Sequence, residues 1–294
     1  AFTIVELLTV MSIIVILISL LVPGLNKVRQ YARRVRQKAQ FHSIEVAMDM
    51  FATEHDGYPE SDEEDLEGNP YCGAMKLTEA MLGRDLMGYH PDSRFRANGT
   101  GSDGTYLYPP KGTISASAYA QNIRSRQGPY LQLETANAYR LDDIYNSFSP
   151  FSFQSGANDN RMPFLLCDVY TNVTHKTTGK RIGMPVLYYK ANSNMMEHEY
   201  GQDDDNIYDY RDNIDLVDLG MPWMGGASGP SHPMASGGTA TSGASASPEV
   251  FYEMTQNEDI TTTERPYRSD SYILQSAGHD GEYGTRDDVF NFGN

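Results

Sequence analysis

The chain opens with a long, almost uninterrupted run of apolar residues. Residues 2–22 read FTIVELLTVMSIIVILISLLV and contain one charged side chain, Glu6. A helix needs about 20 apolar residues to cross a bilayer, so the run predicts a membrane-spanning helix. A cleaved signal peptide has a shorter apolar core and ends in a small-residue cleavage site. Here the run is longer and is followed by Pro-Gly-Leu-Asn.

Glu6 does not suit a simple anchor. A carboxylate near the edge of the hydrocarbon layer costs about 2–3 kcal/mol on insertion scales, so it usually has a partner. One interpretation is that the side chain reaches back to the membrane interface. The other is that it pairs with an α-amino group, either of its own chain or of a staggered neighbouring copy.

The apolar pattern continues past Pro23 into an amphipathic segment, 24–53. Apolar and weakly polar side chains recur there every three or four residues, which is one face of a helix. They are Leu25, Val28, Ala32, Val35, Ala39, His42, Val46 and Met50. We expect this helix to end at the Gly57-Tyr58-Pro59 stop, and the proline at position 23 to kink or unwind it locally. Basic side chains flank the stripe. They are Lys27, Arg29, Arg33, Arg34, Arg36 and Lys38.

After Pro59 the pattern breaks into short elements joined by long loops. Helical spacing predicts two helices, and enrichment in Val, Leu and Tyr predicts three strands. The predicted elements are helices over 74–87 and 131–146 and strands over 162–171, 185–191 and 271–275. The fold class is therefore α+β. The N-terminal helix, 1–53, packs its stripe on a small antiparallel sheet of the head, 54–294.

One segment of the head has a different composition. Residues 224–248 read MGGASGPSHPMASGGTATSGASASP, in which small residues dominate. Such a sequence cannot bury enough apolar surface to form a core, so we expect an exposed loop whose deletion leaves the fold intact. Asn98-Gly-Thr and Asn172-Val-Thr match the N-glycosylation pattern, which recurs often by chance.

Charge narrows the classes of function. The chain has 23 Lys and Arg against 39 Asp and Glu, a formal net charge of −16, and residues 24–40 hold six of the bases and no acid. The head is therefore strongly acidic, which argues against a nucleic-acid partner because phosphate contacts need basic groups. No H-E-x-x-H, G-x-S-x-G, C-x-x-C or P-loop motif occurs. We expect the protein not to be an enzyme.

The stretch AFTIVELLTVMSIIVILISLLVPGL resembles the start of type IV pilins and of the pseudopilins of type II secretion systems. The matching positions, within about the first 30 residues, are Phe2, Thr3, Glu6, Leu7, Leu8 and Pro23. The resemblance implies a pilin-like fold and a prepilin peptidase that cuts before Phe2 and methylates it. It also implies an inner-membrane machinery that assembles copies into a helical filament, with Glu6 neutralising the N-terminal amine of a neighbour.

The resemblance also implies a location. The chain would cross the inner membrane once and then enter an extracellular pilus-like filament or, as the alternative, a periplasmic pseudopilus acting in protein export. The positive-inside rule would place the basic segment, and the head with it, in the cytoplasm. We give the motif more weight, because orientation is settled in the precursor. A monomeric membrane-anchored binding module is a further alternative, and it predicts no role for Glu6.

The acidic C-terminal loop, 276–289, is the best candidate for a metal site. Carboxylates surround several glycines there, and calcium takes six to eight oxygen ligands from carboxylates and carbonyls. The alternative is a solvated acidic turn. The loop resembles the calcium loop at the end of major pseudopilins. That resemblance implies side-chain ligands from Asp280, Asp287 and Asp288 and carbonyl ligands from Leu274 and Ser276. A second acidic run, 201–213, is more typical of a solvated loop.

The two cysteines, Cys72 and Cys167, leave two alternatives open. If the head is outside the cytoplasm, as the resemblance implies, they can form a disulfide, which stabilises the fold by about 4–5 kcal/mol in the chain-entropy model. Otherwise they are two buried thiols.

Overall fold

A computed structural model describes residues 3–153, 161–201, 205–260 and 263–293. Its largest element is helix α1, Ile4–His55, which begins after the N-cap Thr3 and ends at Asp56 in the left-handed conformation. At 52 residues the helix is about 78 Å long. It runs without a break through position 23, so the unwinding predicted there does not occur. Ala1 and Phe2, where the predicted processing site falls, lie outside the described residues.

The remaining elements of the described residues are short. The helices are α2 (Gly73–Leu82), α3 (Ala116–Arg124), α4 (Leu133–Ala136), α5 (Leu141–Ile144), α6 (Arg211–Val217) and α7 (Glu249–Thr255), with 3₁₀ turns at Pro91–Ser93 and Pro222–Met224. The strands are β1 (Ala138–Arg140), β2 (Phe164–Leu166), β3 (Val173–Thr174), β4 (Arg181–Ile182), β5 (Leu187–Lys190), β6 (Tyr272–Ser276) and β7 (Val289–Phe290). All three predicted strands are confirmed, as the cores of β2, β5 and β6.

The two predicted helices of the head have different outcomes. The first is confirmed but ends early, at Leu82, because Gly83 turns the chain with a φ of 73°. The second, over 131–146, is confirmed only in two short pieces, α4 and α5, because a strand interrupts it. Asn137 takes a left-handed φ of 50° after α4, and Ala138–Arg140 then pair as β1 with β2. Strand pairing over this stretch outweighs the local helical spacing.

A three-stranded antiparallel sheet in the order β5-β6-β7 separates two apolar clusters. Side chains alternate across it, as strand geometry requires. Tyr188 and Leu274 pack in the cluster that contains α1 and α2, whereas Tyr189 and Ile273 pack in the other, with Phe251 of α7. The structure therefore has the predicted long helix on a small antiparallel sheet.

The face of α1 that packs on the head is not the predicted stripe. The buried side chains are Gln37, Gln40, Phe41, Ile44, Ala47, Met48 and Phe51. All eight residues of the predicted stripe are exposed, Val35 and Met50 each by 51%. Spacings of three and four fit both faces, and the sequence does not say which one the head covers.

The low-complexity segment has no helix or strand over residues 225–247, and much of it is exposed, as predicted, but part of it packs in the core. Met234 and Ala235 are buried in the larger apolar cluster, and His232 is fully buried beside the ring of Tyr283. The amide of Gln275 contacts the Met234 sulfur at 3.3 Å. Several side chains of this segment therefore anchor it to the core, His232 and Met234 among them.

The cysteines belong to the same larger cluster. Cys72 and Cys167 are free thiols, and both are buried. Burial raises the pKa of the Cys72 thiol to about 12.

Candidate assembly surface and C-terminal acidic loop

Helix α1 presents a continuous apolar surface. Residues 4–22 are exposed wherever their side chains are described, with Ile4 at 82% and Val15 at 65%. Within the described part of the chain, α1 is the one helix long and apolar enough to cross a membrane. By length and composition it fits a transmembrane anchor, although a signal sequence near an N-terminus passes the same test.

The apolar surface is longer than a membrane anchor requires. About 20 residues cross the hydrocarbon layer, yet Val28, Val35, Val46 and Met50 are also exposed, on the opposite side of α1 from Phe41 and Ile44. From residue 28 to residue 50 this face measures about 33 Å. An anchored monomer would leave it in water.

Glu6 has a partner within its own chain. Its carboxylate accepts hydrogen bonds from the Thr3 backbone N–H and hydroxyl, both at 2.9 Å, and the Thr3 hydroxyl accepts from the Glu6 N–H at 3.2 Å. This is a capping box, which satisfies free N–H groups at the start of a helix. The Thr-x-x-Glu spacing of this motif is present in the sequence, and it gives Glu6 a role in its own chain besides pairing with an amine.

The basic side chains after the apolar run form two rows on α1. Lys27, Arg34 and Lys38 repeat every seven and four residues, and this row meets the C-terminal loop. Lys38 Nζ donates to the carbonyl of Gly293 at 3.0 Å. Lys27 and Arg34 line a cavity of about 490 Å³ together with Asp280 and Asp287. The other row, Arg29, Arg33 and Arg36, is exposed to solvent.

Two of the predicted calcium ligands, Asp280 and Asp287, lie together in the C-terminal loop. Thr285 Oγ1 lies within hydrogen-bond distance of both carboxyl groups, 2.9 Å from Asp280 Oδ2 and 2.7 Å from Asp287 Oδ1, and Asp287 Oδ2 accepts from the Asp280 N–H at 3.0 Å. Burial, aided by the neighbouring carboxyl, raises the pKa of Asp280 to about 7. Burial also acts to raise the pKa of Asp287, but its hydrogen bonds outweigh burial and lower that pKa.

The third predicted side-chain ligand, Asp288, is buried nearby. Its Oδ2 accepts from Gln275 Nε2 at 2.7 Å and from the Gly284 N–H at 2.9 Å. Its Oδ1 is buried with no hydrogen-bond partner among the described residues, and burial raises the pKa of this carboxyl well above its usual range.

These contacts fit a cation only in part. The facing carboxyls of Asp280 and Asp287 and the unpaired oxygen of Asp288 are suitable acceptors. The carbonyl of Leu274 instead accepts from the Asn291 N–H at 3.2 Å, within the sheet, and Ser276 pairs with Val289. In the described residues no group of three or more acidic, histidine or cysteine side chains is placed to hold a metal ion.

Comparison of the chain with protein-family models, characterised proteins and solved structures gives no significant match in any of the three. The likeness to pilins therefore stays an expectation based on the first 30 residues. What the protein does is inferred from its own residues and geometry.

Proposed function

We propose that this protein is a structural subunit of a type IV pilus-like filament on the cell surface, assembled by packing α1 of one copy against α1 of others. The observation that carries the proposal is the exposed apolar face that continues about 33 Å beyond the apolar run. Covering large apolar side chains stabilises an assembly by about 1.5–3 kcal/mol each. If the protein were a monomeric membrane-anchored module, this apolar face would have no function.

In this proposal the membrane half of α1 needs a polar contact for specificity. When this half of the helix leaves lipid for a helix bundle, its side chains stay in apolar surroundings, so the hydrophobic effect contributes little. Close packing and polar pairs must therefore select the register between the helices. Glu6 is the acidic residue of that half, and it would exchange its Thr3 contacts for the amine of a neighbouring copy. Inner-membrane assembly machinery and a prepilin peptidase are the further partners proposed.

The capping box supplies a matched pair of variants to test this role. Glu6→Gln keeps a side chain that can cap the helix but removes the charge. Thr3→Ala breaks the box but keeps the charge. We expect Glu6→Gln to reach the membrane yet yield no filaments by electron microscopy, and Thr3→Ala to yield filaments.

Each negative result has a distinct meaning. Normal filaments from Glu6→Gln would rule out the proposed charge pairing but would not contradict the proposed filament. Dispersed particles from the unmodified chain, expressed with its assembly machinery, would overturn the filament itself.

One feature favours a second candidate function, that of a periplasmic pseudopilus subunit in protein export. The C-terminal loop resembles that of major pseudopilins, and calcium is proposed there with Asp280, Asp287 and Asp288 as ligands. The cation would relieve the repulsion between the neighbouring carboxyl groups of Asp280 and Asp287.

Calcium should therefore raise the melting temperature of the protein, and chelation should lower it. Asp280→Asn should abolish that response, whereas Asp270→Asn, at an exposed acid before β6, should keep it. If neither calcium nor the chelator changes the melting temperature, the proposed calcium site is wrong.

A further inference from the structure

Charge is segregated along the exposed side of α1. Beyond the apolar run, residues 24–56 form the stem, whose exposed apolar stripe contains Val28, Val35, Val46 and Met50. Residues 24–40 hold six Lys and Arg and no acid, whereas residues 45–56 hold four acids and no Lys or Arg. The filament proposal uses the apolar side chains of the stripe and none of these charges.

Two pairs of these charges border the stripe on opposite flanks. An α-helix turns about 100° per residue, so side chains seven residues apart lie nearly one above the other. Asp49 and Asp56 have this spacing and follow one flank, about 60–80° from the middle of the stripe. Arg29 and Arg36 have the same spacing and follow the other flank, about 80–100° from the middle.

The basic flank is available to a partner. Arg29 and Arg36 are exposed, and neither makes a hydrogen bond or an ion pair with any residue that the structure describes. The other basic row of α1 is engaged with the head, as the hydrogen bond from Lys38 to Gly293 shows. The charge of Arg29 and Arg36 therefore has no counterpart within the described chain.

The acidic flank is available as well. Asp49 and Asp56 are exposed and make no ion pair with the described residues. Asp49 accepts one hydrogen bond, from the Tyr58 hydroxyl at 3.2 Å. The cation of the head on this side of α1 is Arg268, and it donates to Glu45 at 2.8 Å instead.

Displacement along the helix axis decides which of these charges meet between copies. Parallel helices that pack stripe to stripe place one flank of a helix beside the opposite flank of its neighbour. Without displacement, bases face bases and acids face acids, and such like-charge contacts are unfavourable. Asp49 follows Arg29 by 20 residues, and Asp56 follows Arg36 by 20 residues as well. A displacement of 20 residues, which is about 30 Å, therefore brings both pairs together at once.

The same displacement fits the apolar side chains of the stripe. Val28 of the displaced copy reaches the level of residue 48 of the first copy, between Val46 and Met50. These three side chains are 64%, 49% and 51% exposed in the single chain. The contact thus covers apolar surface and pairs opposite charges along its borders, which is the usual arrangement of parallel packed helices.

We propose that this charge pattern sets the displacement between two copies of the chain at about 30 Å, with Asp49 and Asp56 of one copy paired to Arg29 and Arg36 of the next. This inference rests on the proposed filament and names a contact that fixes its register. The contact joins two different parts of the stem and includes an axial displacement, so it cannot close into a ring and repeats as an open filament. The contact of Glu6 involves a neighbour at a smaller displacement and is separate from this one.

The first test exchanges charges in the full chain, expressed with its assembly machinery and observed by electron microscopy. Asp49→Arg should reduce the number of filaments at least about tenfold, because the new charge would face Arg29, and Arg29→Asp should do the same. The two substitutions combined in one chain should restore filaments. Arg33→Asp is the matched control, since Arg33 is exposed but lies on the side of α1 that faces the head, in line with Phe51. It should leave the filaments unchanged.

The second test measures the displacement and leaves the charges in place. A chain with both Met50→Cys and Val28→Cys should form disulfide-linked multimers on oxidation, seen as a ladder in a denaturing gel. A chain with both Val46→Cys and Val35→Cys should not, because those positions meet at a displacement of about 17 Å. The two natural cysteines are buried and do not compete.

The outcomes separate this inference from the filament proposal. Filaments that tolerate Asp49→Arg, a double exchange that fails to restore filaments, or a ladder from Val46→Cys with Val35→Cys alone would each overturn the 30 Å register, while the filament would stand. Dispersed particles from the unmodified chain would overturn both.

Discussion

Two histidines are buried as neutral side chains. His198 Nε2 lies 2.9 Å from Thr255 Oγ1, and His232 Nδ1 accepts from the Tyr283 N–H at 3.1 Å. The second ring nitrogen of each has no partner among the described residues. Burial lowers the pKa of His198 to about 4 and that of His232 to about 3.

These depressed values predict a loss of stability in mild acid. An unfolded histidine binds a proton near pH 6.5, whereas the folded one does not until about pH 4, so protons favour unfolding between those values. At pH 5 the cost is about 2 kcal/mol for each histidine. The free energy of unfolding of the unmodified chain, minus that of His198→Gln, should fall by about this amount between pH 7 and pH 5.

Buried carboxyls titrate too, so the difference between variants is the quantity to measure. A difference for His198→Gln that is flat with pH would mean that His198 is not held neutral.

Gly183 illustrates a steric requirement at a single residue. A β-carbon built there would lie 2.2 Å from the backbone oxygen of Asp168 and from its Oδ1. Asp168 in turn accepts from Ser276 Oγ at 2.8 Å and so links this turn to β6. We expect Gly183→Ala to destabilise the fold by about 1–3 kcal/mol in chemical denaturation. Gly237→Ala, which has open space around it, should be near neutral.

At the scale of elements, α1 carries two apolar faces with different uses. Phe41, Ile44 and Met48 fill the cluster beneath the sheet, whereas Val35 and Met50 face solvent. Both faces have apolar side chains every three or four residues, but the covered face carries the larger ones, Phe41 and Phe51. The position of the head separates the face that folds the chain from the face available to other copies.

This division predicts two separable defects. Val35→Glu should prevent filament assembly, because the charge would enter the helix interface, while the melting temperature stays unchanged. Ile44→Ala should lower the free energy of unfolding by about 2–4 kcal/mol. Electron microscopy and thermal denaturation of both variants check this. Filaments from Val35→Glu, or a lowered melting temperature, would contradict the assignment of the faces.

At the scale of the whole molecule, the low-complexity segment completes the core. Met234 and His232 are buried between the segment and the C-terminal loop, and Tyr283 contacts both. The segment therefore joins the outer wall of the head to the region of Asp288. Its composition alone indicated a detachable loop.

Deleting residues 226–247 should consequently expose the core and reduce the yield of folded protein. Met234→Ala should lower the free energy of unfolding by about 2–5 kcal/mol. Met224→Ala, at a position 43% exposed, should change it by less than about 0.5 kcal/mol. A folded, equally stable deletion variant would restore the original interpretation of this segment.

The spacing of apolar residues was enough to predict the long helix and the strands β2, β5 and β6. A helix or strand with an apolar face places apolar residues at regular intervals along the chain. The pattern was also enough to single out Glu6 as a lone acid in an apolar run. The same pattern was only partly right over 131–146, where pairing of β1 with β2, far apart in sequence, interrupts the helical stretch. The spacing of apolar residues within one segment carries no information about contacts with a segment far away in the chain.

Tertiary structure alone decided which face of α1 is covered and that Met234 is a core residue. Each of these facts depends on groups distant in the chain arriving at the same place. The sequence by itself determined the chemistry available, and packing determined which groups meet.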